Sequence, residues 1–282
     1  MRLAAALAMF GLAAVAPHAA QGVETVQFPS YDGKTQLIGY LFRPPGPGPY
    51  PAVVMLHGRA GAYSSLQRGT YTAETLTLRH KMWGNFWAER GYLALHVDSF
   101  GPRGFLGGFP KHSYSERPGE VSERSVRPLD AYGALDYLRG RSDVIADRIG
   151  VQGWSNGGMT VLSTMTQPAS GIKRPDVAPG FRAALAFYPS CRTQVREGNY
   201  LPYAPLLIFA ASDDDEVSAT VCQDFAADAQ ARGAGIEFVL YEGAHHSYDD
   251  PGKRKQSHEP NRYAMRDSLH RAENFFRIHL KP

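Results

Sequence analysis

The sequence predicts an α/β fold, a mostly parallel central sheet with helices on both faces. Three observations predict it. From residue 51 onward, short apolar runs alternate with segments of helical spacing, the rhythm of parallel strands joined by helical crossovers. Several of those runs, such as Pro51–Leu56 and Tyr92–Val97, are continuous rather than alternating, as strands covered on both faces are. The residues able to do chemistry (His57, Asp98, Ser155, Cys191, Asp214 and His246) follow the runs, at the strand ends where open parallel sheets hold ligands.

Taken in order, Glu24–Pro29 and Gln36–Phe42 read as a leading β pair around the turn Tyr31-Asp32-Gly33-Lys34. A rigid proline- and glycine-rich connection leads to the buried strand ending at His57. Residues 60–80 are mixed and polar, a loop. Met82–Gly91 is a helix with Gly91 as its stop, followed by the strand Tyr92–Val97. From Asp98 to about Arg124 no period is visible, and a connection that long inside a compact domain usually shapes a binding site. Val126–Arg139 carries Leu129, Tyr132, Leu135 and Leu138 at helical spacing. Strands follow at Ile149–Gln152, Arg182–Tyr188, Ala204–Ala211 and Ile236–Tyr241. Helices are expected directly after residues 153–157, continuing through Met159–Thr166, at Ser218–Arg232 with a serine cap, and at Asn261–Leu280.

Composition narrows the function classes. The chain has 282 residues, 43% of them hydrophobic and 20% charged, enough for one domain with a sizeable core. A net charge of +3 with no basic run interleaved with aromatics argues against nucleic acid, and Lys253-Arg254-Lys255 reads as a solvated surface. Arg2, the apolar stretch Leu3–Val15 and the small residues that follow it have the form of a secretory signal peptide. The expectation is therefore a signal over residues 1–20, a single domain over 21–282 and an exported, periplasmic or secreted product; a retained N-terminal anchor is the alternative. An exported chain with two cysteines, Cys191 and Cys222, invites one disulfide.

The chemistry centres on Gly153-Trp154-Ser155-Asn156-Gly157, which joins an apolar strand to a small-residue helix. This is the setting of a nucleophile elbow, a cramped turn that presents a serine above the sheet. A serine hydroxyl needs a base within hydrogen-bond reach and a group to orient that base. The order nucleophile, acid, histidine is met by Ser155, one of Asp213, Asp214 and Asp215, and His245 or His246. Backbone N–H groups of Arg59 and Asn156 are the natural oxyanion donors. Adjacent histidines on a loop diverge, so no metal site is expected, and no cofactor.

Together these stretches resemble the dienelactone hydrolase branch of the α/β-hydrolase fold, from roughly Tyr31 onward. The resemblance is carried by Val-Met-Leu-His-Gly at 54–58, Val-Asp-Ser-Phe-Gly-Pro-Arg-Gly at 97–104, Asp-Arg-Ile-Gly-Val-Gln-Gly-Trp-Ser-Asn-Gly-Gly at 147–158, Phe-Tyr-Pro-Ser-Cys at 187–191, Ala-Ser-Asp-Asp-Asp-Glu-Val at 211–217 and Tyr-Glu-Gly-Ala-His-His-Ser-Tyr at 241–248. The family pattern implies Asp214 as the acid and His246, followed by Ser247-Tyr248, as the base. It also implies a Cys191–Cys222 bridge. The enzymes that give the family its name use a cysteine nucleophile; Ser155 here points to general carboxylic esters, small molecules, as substrates. Arg103, in the Gly-Pro-Arg-Gly turn, is a candidate for an acidic substrate group, with a structural role in that turn as the alternative. The competing functional readings are a non-catalytic scaffold of the same fold and a small peptidase of the prolyl oligopeptidase kind.

Overall fold

The computed structural model describes residues 22–166 and 180–281. The expected signal peptide lies outside the described residues. Eight strands form one sheet: β1 (Glu24–Pro29), β2 (Gln36–Phe42), β3 (Tyr50–Leu56), β4 (Leu93–Asp98), β5 (Val144–Trp154), β6 (Ala184–Phe187), β7 (Leu206–Ala211) and β8 (Ile236–Tyr241). Their spatial order is β1-β2-β4-β3-β5-β6-β7-β8. The leading pair is antiparallel and β2 meets β4 antiparallel, while every pairing from β4 to β8 is parallel.

Alternate residues of each central strand feed two cores. Ala52, Val54 and Leu56 of β3 pack with α2 (Arg127–Arg139), α3 (Asn156–Met165) and α5 (Ala219–Ala231). Val53 and Met55 face the opposite side, with Trp83 and Trp87 of α1 (Leu78–Glu89) and Phe275 and Phe276 of α7 (Glu259–Leu280). Because both faces are covered, the strands read as unbroken apolar runs.

The differences from expectation have local causes. Strand β5 extends further back than its apolar run, because its first half is largely exposed and carries no apolar pattern. Helix α3 starts directly after Ser155, as the elbow pattern predicts, and ends at Met165. Helix α1 starts at Leu78, where the Thr77 hydroxyl accepts from the His80 N–H at 3.2 Å. The loop before it holds two 3-10 turns. Two short helices, α4 (Arg192–Glu197) and α6 (Lys253–Gln256), were not expected; each is too short and polar to show a period. Cys191, at the start of α4, is bonded to Cys222 in α5, with Cα atoms 5.1 Å apart. No helix among the described residues is long and apolar enough to cross a membrane.

Candidate active site

Ser155 stands between β5 and α3 with φ 53° and ψ −114°, a conformation side-chain-bearing residues rarely adopt. The two flanking glycines make that turn possible. A Cβ on Gly153 would lie 2.2 Å from the Gly157 carbonyl oxygen, and one on Gly157 would lie 2.0 Å from the Leu56 oxygen. The elbow is therefore pressed against the end of β3, and its serine projects above the sheet.

Three strand-end loops meet over it. The Ser155 Oγ lies 3.0 Å from Nε2 of His246, which follows β8. The His246 Nδ1 lies 2.7 Å from Oδ2 of Asp214, which follows β7. The other carboxylate oxygen of Asp214 accepts from the N–H groups of Glu216 and Val217, at 2.8 and 2.9 Å. With the acid so fixed, Nδ1 carries the ring proton and Nε2 is left to accept from the serine. The rivals are turned elsewhere: Asp213 accepts from Ser212, Asp215 pairs with Lys111, and His245 stacks on His258 with ring centres 4.2 Å apart. His246 and Asp214 are both almost wholly buried, with side chains 5% and 1% exposed.

The opposite wall is the loop after β3. His57 is buried, and its Nε2 accepts from the Ser99 N–H at 3.2 Å. Its Nδ1 therefore carries the proton, donated to the Gly58 carbonyl at 2.8 Å. Burial, helped by the nearby Arg127 charge, holds His57 well below the ordinary histidine range. The Gly58 carbonyl also accepts from the Gly61 N–H. In a trans peptide the N–H points away from the carbonyl, so fixing the Gly58 oxygen fixes the direction of the Arg59 N–H. The Arg59 carbonyl takes the Phe109 N–H at 2.8 Å. A Cβ on Gly108 would lie 2.2 Å from the Ala60 carbonyl carbon, so the segment after β4 clamps this wall. Asn156 opens α3, where a first-turn N–H has no partner within the helix.

Two site residues escaped the sequence. Glu216 forms a double hydrogen bond with the Arg59 side chain at 2.8 and 2.9 Å, and its carboxylate lies 3.9 Å from His246 Nε2. Burial raises Glu216, but the Arg59 hydrogen bonds and the charges of His246 and Arg59 outweigh it and leave it below its ordinary value. The available signal was its place two residues past Asp214. Arg127, fully buried, donates to both the His57 carbonyl and the Asn156 side chain.

Arg103 is placed differently from its expected substrate role. Its guanidinium holds both Asp130 oxygens at 2.8 Å and the Ser99 carbonyl at 2.6 Å, and it does not line the cavity. The alternative role, pinning its turn, matches this arrangement. The cavity over Ser155 holds about 900 Å³ and is bordered by Arg59, Tyr63, Leu66, Leu78, Phe109 and His246 among others. Among the described residues no group of three or more His, Cys, Asp or Glu side chains could hold a metal ion.

The sheet order, the strained serine elbow and the loops that meet over it define an α/β-hydrolase. The model of the dienelactone hydrolase family matches residues 37–280, and the chain belongs to that family. YtaP of Bacillus subtilis (strain 168) is 32% identical over 118 residues, which are 40% of this chain and 38% of that protein; the match thus spans well under half of that relative. Among solved structures, a dienelactone hydrolase-like promiscuous phosphotriesterase from metagenomic libraries superposes with a TM-score of 0.67 at 19% identity, covering 92% of this chain and 99% of that one. Thermogutta terrifontis esterase 2, phosphorylated by paraoxon, gives a TM-score of 0.63 at 19% identity, covering 94% and 98%. At these identities the two structures bear on the fold.

Proposed function

We propose that the protein hydrolyses small carboxylic esters through an acyl-enzyme on Ser155. The observation that carries this reading is the unbroken relay Ser155 Oγ to His246 Nε2 at 3.0 Å and His246 Nδ1 to Asp214 at 2.7 Å. Ser155 attacks the ester carbonyl while His246 takes its proton; Asp214 holds the ring tautomer and stabilises the imidazolium. The tetrahedral oxyanion forms against the N–H groups of Arg59 and Asn156, and each such donor is worth on the order of a hundredfold or more in rate. Collapse expels the alcohol, which takes the proton from His246. Water then attacks the acyl-enzyme with His246 again as base, releasing acid and free Ser155. Family membership supports the reaction class, and the serine in place of a cysteine favours general esters over the family's named substrate.

Hydrolysis of a p-nitrophenyl ester panel tests the reading. Ser155→Ala should lose activity by roughly a million-fold, as removal of a triad serine does elsewhere. It should also lose labelling by a fluorophosphonate and by paraoxon, which in the wild-type protein should leave one diethylphosphoryl group on Ser155. Persistent hydrolysis in a folded Ser155→Ala protein defeats the reading. An unlabelled, inactive wild-type protein favours the scaffold, and preference for peptide amides favours the peptidase. Export with cleavage near Ala20 belongs to the same proposal; the disulfide supports it, and N-terminal sequencing of the native protein tests it.

A further inference from the structure

We propose that Arg127 is a positioning residue that sets the separation of the two oxyanion donors; this rests on the hydrolase reading above. The donors stand on different elements, Arg59 on the loop after β3 and Asn156 at the start of α3. One fork of N–H groups joins those elements from behind. Nη2 of Arg127 donates to the His57 carbonyl at 2.8 Å, and Nη1 donates to the Asn156 Oδ1. His57 is the residue whose ring orients the Gly58–Arg59 peptide, so the first bond acts on one donor and the second on the other.

The surroundings make this fork hard to replace. Arg127 has no solvent exposure, and no carboxylate among the described residues lies within ion-pair distance of it. The Asn156 amide stands between the charges: its Oδ1 accepts from Arg127 while its Nδ2 donates to Glu123 at 3.1 Å. That fixes which way the amide faces. Glu123 is tied in turn to Tyr114 at 2.8 Å, and the guanidinium carbon sits 4.9 Å above the Phe100 ring. A buried cation bonded to neutral acceptors is costly, and burial lowers Arg127 to about 10. An ammonium carries its three donors on one nitrogen and offers no planar fork with separate arms aimed at two fixed acceptors. Guanidinium is the group whose geometry spans both walls.

The test uses Arg127→Lys and Arg127→Gln in the full-length protein, with a p-nitrophenyl ester and a trifluoromethyl ketone that adds to a serine as a tetrahedral oxyanion. The expected loss for Arg127→Gln is about a hundredfold in kcat, the scale of one oxyanion donor, with KM within about threefold. Arg127→Lys should fall between it and the wild type. Affinity for the trifluoromethyl ketone should fall in step with kcat/KM, while affinity for the matching methyl ketone stays. The acid limb of the pH profile should not move, because the relay of Ser155, His246 and Asp214 is left intact. A folded Arg127→Gln protein with wild-type kcat, or one whose loss appears in KM with ketone affinity kept, overturns the proposal. If Arg127→Gln does not fold, Asn156→Ala decides: it keeps the backbone N–H but removes the acceptor. The same signature at about tenfold or more supports the proposal, and wild-type kinetics overturn it. Ser155-dependent hydrolysis together with an inert Arg127 defeats this inference alone; Ser155-independent hydrolysis defeats the parent reading.

Discussion

The two halves of the site are built from different materials. The half bearing His246 and Asp214 lies over β6 to β8, with each group on the loop directly after a strand and a disulfide behind it, joining Cys191 to Cys222. The half bearing Arg59 and Asn156, the proposed oxyanion donors, lies over β3 to β5. There the support is a buried polar interior of His57, His80, His96, Asp98, Arg127, Asp130 and Glu123, drawn from five stretches of chain. One half is fastened covalently, the other by hydrogen bonds and close packing of buried groups that must keep their protonation states. They should therefore fail under different stresses.

Acid should damage the oxyanion half most. His57, His80 and His96 are buried and held neutral by burial first, with the charges of Arg127 or Arg79 adding to it; His80 is lowered to about 3 and the other two lie well below their ordinary value. Their folded pKa values lie under the unfolded ones, so the unfolded chain binds more protons at mildly acidic pH. Stability is complete above about pH 6.5 and falls as pH drops toward about 3, by up to about 1.4 kcal/mol per pH unit for each ring and about 4 for all three. Asp98, pushed up by burial, takes its proton early and offsets part of one slope. Denaturant titrations at pH 7.5, 6 and 5 measure the slope. Among the described residues neither ring nitrogen of His96 has a hydrogen-bond partner, so His96→Leu sacrifices no bond there and should remove about a third of it. An unchanged slope in His96→Leu shows that this ring is not a source of the acid sensitivity.

Reduction should damage the other half. The bridge closes a loop of 31 residues, which in the chain-entropy account is worth about 3.7 kcal/mol. The double variant Cys191→Ala/Cys222→Ala should be less stable by about 3–4 kcal/mol in denaturant at pH 7.5, with kcat at 25 °C changed by less than about twofold. Its pH slope should match the wild type, because the acid-sensitive rings lie across the sheet. A kcat loss without a stability loss would mean that the bridge positions Asp214 directly.

The same division explains what could be read from the sequence. The strands were legible to within a few residues because each central one is an unbroken apolar run; Ser155, Asp214 and His246, which the structure brings into hydrogen-bond contact, each follow such a run. Asp214 and His246 needed the family pattern to be separated from Asp213, Asp215 and His245; geometry now distinguishes them by hydrogen bonds. The oxyanion half was poorly legible because its partners are distant in sequence. Arg127 meets His57 across 70 residues and Asn156 across 29, and neither spacing leaves a periodic mark. Arg103 is the converse case, two readings that the sequence left open. Its motif located it at a strand end near the site, but the direction of its side chain was decided by Asp130 on α2, 27 residues away.

Glu216 is where the two halves touch, and it offers the smallest and most discriminating test. Its carboxylate reaches across the cavity floor, bonded to Arg59 on one side and 3.9 Å from His246 Nε2 on the other. A negative charge at that distance favours the imidazolium formed on proton transfer. Glu216→Gln keeps the shape and can keep one acceptor bond to Arg59, but it removes the charge. The imidazolium formed on proton transfer is then less favoured, so the acid limb of the kcat/KM profile should move to lower pH. Loss of one Arg59 bond should cost kcat no more than about threefold to tenfold, since the Phe109 contacts still hold the loop. A kcat loss without movement of the acid limb assigns Glu216 to the oxyanion wall alone. Movement of the limb with kcat kept assigns it to His246, and both together make it the coupling between a covalently fastened half and a hydrogen-bonded one.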